Sequence, residues 1–226
     1  MNVKEEILRM SEPQYQQFNA KLLPGVENIQ GVRLGNLRKL AKKIVKDDWR
    51  TFLQKADSDF FEEIMLQGMV IGYAKTESVD ELFPYIDTYV SLIDNWSTCD
   101  SFCSGLKITK EYPEKMWRFL QTYFQSDKEF YIRFAVVMGL NYYINDEYKD
   151  RFLKQLDEIH HEGYYVKMAV AWALSMIYVN YQNETLPYLK HNNLDDFTHN
   201  KAIQKIKESH QISREIKQKL NDLKRK

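Results

Sequence analysis

The chain repeats itself at intervals of about 33 residues, and this repeat restricts its possible folds more than any other feature. Each copy begins with a polar residue, and in the last three copies an Ala and a β-branched residue follow at fixed offsets. The five copies are Gln67-Gly-Met-Val70, Asp100-Ser-Phe-Cys103, Arg133-Phe-Ala-Val136, Lys167-Met-Ala-Val170 and Asn200-Lys-Ala-Ile203. A period of this length is typical of stacked supersecondary units, so the five lead residues should form one polar row along one face.

The pattern between the repeats indicates an all-α fold. Apolar residues recur at three- and four-residue spacing between scarce prolines, and no period-two run reaches the length of a strand. Ser126 and Asp127 are predicted to cap the helix that carries Arg133. The predicted helices pair as 59–74 with 79–93, 95–106 with 113–124, 129–143 with 147–159, 164–178 with 185–189, and 197–209 with 213–223.

Two-helix units of this kind predict an α-α superhelix, a curved solenoid of about five to six HEAT-like repeats with a concave face for a ligand. We expect one domain over residues 1–226, in which 1–34 is a less regular segment and 35–226 is the repeat array. Glycine and proline at Pro24, Gly25 and Gly31 interrupt the helical pattern in the N-terminal segment.

Composition excludes several classes of protein. No apolar run approaches the roughly 18 residues of a membrane span, and the first residues lack the basic and apolar regions of a secretory signal. A cytoplasmic location is therefore expected. Cys99 and Cys103 lie four residues apart with no histidine near them in sequence, which favours buried, reduced thiols over a zinc site or a disulfide.

The formal net charge is zero, but the charges are unevenly distributed along the chain. Residues 57–100 hold ten carboxylates and one lysine, whereas 33–50 holds seven basic residues and 201–226 holds nine. In a curved array, two basic ends could hold a polyanion between them. The C-terminal run could equally be a solvated terminal helix, and charge alone leaves both interpretations open.

Four residues could share one face near the middle of the array. Trp96 and Asp100 are one helical turn apart, so an indole and a carboxylate lie side by side. Trp172 lies five residues beyond Lys167, the lead residue two repeats after Asp100. Arg133 is the lead residue of the repeat in between. The repeat therefore predicts two indoles, a carboxylate and a guanidinium on adjacent helices.

Such a set suits a cationic ligand beside an anionic backbone. Indole faces attract cations, a carboxylate stabilises positive charge that develops in a transition state, and arginine binds phosphate with two hydrogen bonds. An alkylated purine in DNA meets this description, because cleavage of its glycosidic bond passes through an oxocarbenium-like state.

At these residues the chain resembles a known family. The relevant motifs are Asn95-Trp96-x-x-x-Asp100, Tyr131-Ile-Arg133-Phe-Ala-Val136, Tyr165-Val-Lys-Met-Ala-Val-Ala-Trp172-Ala-Leu174, and, more weakly, Asn200-Lys-Ala-Ile-Gln-Lys-Ile206 and Gly31-Val-Arg33. In order and spacing they resemble the HEAT-like repeat DNA glycosylases of the AlkD type, the DNA alkylation repair family.

The resemblance implies a monofunctional alkylpurine DNA glycosylase that acts on duplex DNA without flipping the lesion. Asp100 would stabilise the sugar cation and position water, Trp96 and Trp172 would contact the damaged nucleotide, and Arg133 would hold a phosphate. Further DNA contacts are expected from Lys167, Arg33, Arg38, Asn200, Lys201 and Lys205. The products would be free 3-methyladenine or 7-methylguanine and an abasic site. No metal, organic cofactor or obligate protein partner is implied, and a monomer is expected.

Three features of the sequence depart from the family pattern. Lys167-Met168 stands where Gln-Lys is usual, Ser175 stands where an arginine follows the second tryptophan, and the N-terminal segment is shorter and different. Two other functions therefore stay open. One is a non-catalytic protein that binds distorted or branched DNA, and the other is a scaffold for a protein partner. Arg133 could also serve as an interhelical partner of Asp100, and each tryptophan could be part of the core.

Overall fold

The computed structural model describes residues 2–226, and within that range it contains fourteen α-helices and no β-strand. This confirms the predicted all-α class. The helices are α1 Val3–Arg9, α2 Pro13–Leu22, α3 Leu34–Ile44, α4 Trp49–Lys55, α5 Phe61–Tyr73, α6 Phe83–Val90, α7 Trp96–Gly105, α8 Pro113–Phe124, α9 Glu129–Tyr142, α10 Lys149–Asp157, α11 Tyr164–Asn180, α12 Gln182–Lys190, α13 Asp196–Glu208 and α14 Arg214–Lys219. Short 3₁₀ helices cover Val79–Leu82, Lys107–Lys110 and Leu220–Leu223.

The helices belong to two compact units, one ending at Met116 and the other comprising Trp117–Lys226. In the first unit α3 packs on α5, and α5 packs on α7. In the second unit α9 packs on α11, and α11 packs on α13. Within each unit, successive helices that carry the repeated motif are therefore neighbours, as stacked two-helix repeats require. A single solenoid domain over the whole chain stays a prediction.

The core of the second unit explains why α9 is apolar on every side. All residues from Ile132 to Gly139 are buried, because this helix has neighbours around its circumference. Trp117 packs against the rings of Tyr143 and Phe152, with ring centroids 4.9 and 6.4 Å away. This packing holds α9 firmly and so fixes the position of Arg133.

Side-chain caps set the starts of two helices that carry candidate residues. The Asn95 side chain accepts hydrogen bonds from the backbone N–H groups of Ser97 and Thr98, both at 3.0 Å, and α7 begins at Trp96. Asp195 caps α13 in the same way. The predicted capping of α9 by Ser126 and Asp127 is wrong: Lys128 is the N-cap residue, without a side-chain cap, and the Ser126 hydroxyl instead accepts from the Lys128 N–H.

A buried carboxylate holds the irregular segment that joins α2 to α3. Glu62 has no exposed surface, and it accepts hydrogen bonds from the backbone N–H groups of Gln30 at 2.9 Å, Gly31 at 2.7 Å and Val32 at 3.2 Å. Gly31 has a φ of +80°, and a Cβ there would lie 2.6 Å from the backbone of α2. The Gly31 carbonyl accepts from the Glu12 N–H at 3.1 Å. Glu62 thus fixes the loop on which α2 rests.

The predicted burial of Cys99 and Cys103 is confirmed, since neither residue has exposed surface. Across residues 2–226, no group of three or more His, Cys, Asp or Glu side chains is placed to hold a metal ion. In the same part of the chain, every helix is too short or too polar to cross a membrane.

Candidate functional site

Trp96 and Asp100 lie on adjacent turns of α7 in the first unit, and both are half-buried. Their side chains are neighbours because residues four apart share one face of a helix. The Trp96 indole packs against an apolar cluster that includes Leu23, and its Nε1–H donates to the Leu22 carbonyl at 3.4 Å. One edge of the indole is thus held, while part of the ring stays open to solvent.

The helix that touches Trp96 exposes an apolar stripe, which the sequence analysis missed. On α2, Phe18 is 55% exposed and Leu22 is 47% exposed, and the Tyr15 and Phe18 rings stack with centroids 6.1 Å apart. The spacing of Tyr15, Phe18 and Leu22 at i, i+3 and i+7 is the signal that could have revealed the stripe. Because α2 ends at Leu22, the stripe leads directly to the indole.

Arg33 and Arg38 lie on the exposed surface at the start of α3. The Arg33 guanidinium donates to both carboxylate oxygens of Glu12, through Nε at 2.9 and 3.0 Å and Nη2 at 2.8 Å. These bonds hold the pKa of Glu12 below its usual value. Arg33 would have to leave Glu12, or share it, in order to bind a phosphate.

Arg133 occupies a buried position in the second unit, with only 6% of its surface exposed. Its Nη1 donates to the Tyr165 carbonyl at 2.8 Å, and its guanidinium carbon lies 5.9 Å from the centre of the Tyr165 ring. The guanidinium of α9 is therefore aimed at the first turn of α11. A main-chain group thus contributes to this orientation.

Lys167 and Asn200, the next two lead residues, already have partners. The Lys167 ammonium lies 2.8 Å from Glu162 and 3.6 Å from Asp195. The hydrogen bond to Glu162, together with the nearby charge of Asp195, raises the pKa of Lys167. The Asn200 amide donates to the Arg225 carbonyl and accepts from the Arg225 N–H, both at 2.9 Å. Asn200 therefore ties down the C-terminal segment.

Trp172 and Lys205 line one open cleft of about 390 Å³ between the later turns of α11 and the end of α13. Ser175 lies at its floor, and its hydroxyl donates to the Trp172 carbonyl at 2.7 Å. The hydroxyl is thus directed into its own helix. His210 completes the rim, and Lys201, one turn before Lys205, lies with its ammonium 5.7 Å from the centre of the Phe197 ring.

The candidate residues therefore form separate groups within the two units. In the first unit, Trp96 and Asp100 share a face of α7, whereas Arg33 and Arg38 lie on α3. In the second unit, Trp172 and Lys205 share a cleft, and Arg133 faces the start of α11. The assembly of these groups into one constellation stays a prediction.

Comparison with known proteins adds one match. The model of a family described as "DNA alkylation repair enzyme" matches residues 3–206, which is most of the chain. No curated protein matches the chain.

Proposed function

Because the chain belongs to the DNA alkylation repair enzyme family, we propose that it hydrolyses the N-glycosidic bond of cationic alkylated purines in duplex DNA. The substrates would be 3-methyladenine and 7-methylguanine, excised without flipping the base. The enzyme would be a monofunctional alkylpurine DNA glycosylase, and it would act as a monomer.

The charge of the substrate determines which groups the reaction needs. When the bond between C1′ and the purine nitrogen breaks, its electron pair goes to the base and neutralises the cationic ring. A neutral base leaves without help from a general acid. The enzyme therefore has to stabilise the positive charge on the sugar, which becomes an oxocarbenium ion. A carboxylate near C1′ stabilises that ion. Water then forms the new bond to C1′ and loses its proton to the carboxylate or to solvent.

The observation that supports this proposal most directly is the pair of Trp96 and Asp100 on adjacent turns of α7, both partly open to solvent. In the proposed complex the Asp100 carboxylate faces the sugar of the damaged nucleotide. The Trp96 indole lies against the same sugar and attracts its developing positive charge. The bond from the indole to the Leu22 carbonyl holds the ring in position before DNA arrives.

Part of the contacts to the DNA backbone would come from the second unit. Ser175 replaces an arginine that is usual in the family, and its inward-pointing hydroxyl makes it a poor substitute. Lys205 lines the same cleft as Trp172, so its ammonium is the cation available there for a phosphate. Arg133 would hold a second phosphate, as the resemblance to the family implies.

The alternative is a non-catalytic protein that binds distorted or branched DNA. It would use Arg33 and Lys167 as DNA contacts once phosphates replace their carboxylate partners. Ser175 favours this alternative, because loss of the arginine usual at that position weakens the expected grip on the lesion. Both functions predict DNA binding, so a measurement of base release must separate them.

Single-turnover release of 7-methylguanine from a labelled duplex tests the proposal. Asp100→Asn should slow release by about 100- to 1000-fold, because it removes the charge that stabilises the sugar cation. Duplex affinity should stay within twofold of wild type. Asp222→Asn, the same change at an exposed position near the C-terminus, is the matched control and should behave as wild type.

Equal release rates for Asp100→Asn and wild type would refute the mechanism. If wild type binds the duplex but releases no base, the glycosylase assignment is wrong and the binding protein is favoured.

A further inference from the structure

A continuous row of aromatic rings crosses the first turns of α9, α11 and α13 in the second unit. We define this aromatic row as Phe130, Tyr165, Tyr164 and Phe197. Successive ring centroids are 5.3 Å apart for Phe130 and Tyr165, 5.5 Å for Tyr165 and Tyr164, and 6.3 Å for Tyr164 and Phe197. None of the reactive groups assigned above belongs to it.

The row follows the repeat. Phe130, Tyr164 and Phe197 each precede a lead residue, namely Arg133, Lys167 or Asn200, by three positions. Stacking of α9, α11 and α13 places these equivalent positions side by side. An aromatic ring is thus present at the same point of three consecutive units.

Two of the rings are far more exposed than residues of the hydrophobic core. Tyr164 is 58% exposed and Phe197 is 43% exposed, which makes them the large apolar side chains of this unit that are most open to solvent. Phe130 and Tyr165 are half-buried, and the Tyr165 ring packs against Tyr164. The surface therefore presents the flat faces of two exposed rings.

A lysine lies directly at one end of the row. The Lys201 ammonium is 5.7 Å from the centre of the Phe197 ring, where it can reach a phosphate beside a base stacked on that ring.

The nearby carboxylates are mostly engaged by protein groups. Glu129 accepts from the Tyr165 N–H at 2.7 Å, Glu162 and Asp195 pair with Lys167, and Asp196 lies 3.5 Å from Arg225. Asp127 is exposed but is next to Lys128 in sequence. Four of the five carboxylates near the row are thus held by protein groups.

We propose that the aromatic row binds unpaired bases of a single-stranded DNA segment, with Tyr164 and Phe197 as stacking surfaces and Lys201 as a phosphate contact. Every base has a flat face, so such stacking tolerates any sequence. Two exposed rings offer room for about two bases. The Arg133 guanidinium lies 5.9 Å from the centre of the Tyr165 ring, so the row lies beside the expected phosphate site.

Binding of undamaged DNA tests this inference independently of base release. The probes are a fluorescein-labelled blunt duplex and the same duplex with a short oligothymidine overhang, and the readout is the ratio of their dissociation constants from fluorescence anisotropy. Wild type should bind the overhang duplex about tenfold more tightly, which corresponds to about 1.4 kcal/mol. Tyr164→Ala combined with Phe197→Ala should bring this ratio close to one.

Two further variants separate stacking from other effects. Tyr164→Phe combined with Phe197→Tyr keeps both rings and should keep the preference for the overhang. Phe18→Ala removes an equally exposed ring from the first unit and should leave the ratio unchanged. Equal affinity of wild type for both probes would overturn the proposal. Loss of the preference in the ring-preserving variant would also overturn it, because the ring face would then not be the binding group.

Discussion

Replacement of Glu62 by Gln gives the sharpest test of how the structure positions α2. In the wild type one oxygen of Glu62 accepts from the Gly31 and Val32 N–H groups, and the other accepts from the Gln30 N–H. A glutamine keeps one acceptor and turns an NH₂ group towards the remaining donor. A buried donor without an acceptor costs about 1–3 kcal/mol, and exchanging a charged acceptor for a neutral one costs about 1 kcal/mol per bond.

The first unit should therefore lose roughly 3 kcal/mol of stability in Glu62→Gln, which lowers the urea midpoint by about 1–2 M. Hydrogen–deuterium exchange should show faster exchange at Gln30, Gly31 and Val32, because their protecting acceptor is weakened or lost. Glu27→Gln makes the same change on the exposed part of this segment and should match wild type in both assays. An unchanged midpoint and unchanged exchange in Glu62→Gln would refute the assigned role of the carboxylate.

Two predictions concern the second unit. Gly139→Ala places a Cβ about 2.2 Å from the Phe152 ring and should destabilise the protein by about 1–3 kcal/mol in urea unfolding. At Gly35 a Cβ would meet open space, so the control Gly35→Ala should be neutral or slightly stabilising. Equal midpoints for the two variants would contradict the packing. Burial lowers the pKa of His199 from its ordinary value of 6.5, so the unfolded chain binds the proton more tightly, and stability should fall as the pH drops below about 6.5. Urea midpoints between about pH 7.5 and 5.5 should fall more in wild type than in His199→Gln, and parallel curves would show that His199 does not contribute.

The helices could be predicted closely because their causes are local. The segment 113–124 begins with a proline at its first position and keeps apolar residues at helical spacing, and α8 has those bounds. The helix predicted over 129–143 is α9, one residue shorter. The helices at the N-terminal end of the chain were harder to predict, because α2 rests on the loop at Gly31, which the distant Glu62 holds in place.

The candidate residues could be located on their helices, but their partners could not be foreseen. Lys167 binds Glu162 and Asp195, and Asn200 binds the backbone of Arg225, 25 positions away. Pairing between distant polar groups leaves no periodic pattern in a sequence. The aromatic row did leave one, since Tyr164 and Phe197 recur at the same offset, but aromatic residues at helical spacing usually indicate packing.

The bond between Arg133 and the Tyr165 carbonyl has a consequence for how such sequences can diverge. Every residue type supplies the same main-chain oxygen, so this hydrogen bond does not require a tyrosine in the next repeat. The side chain at 165 can then change without loss of the bond. Two neighbouring parts of one surface could thus be selected for different tasks and drift independently over evolutionary time.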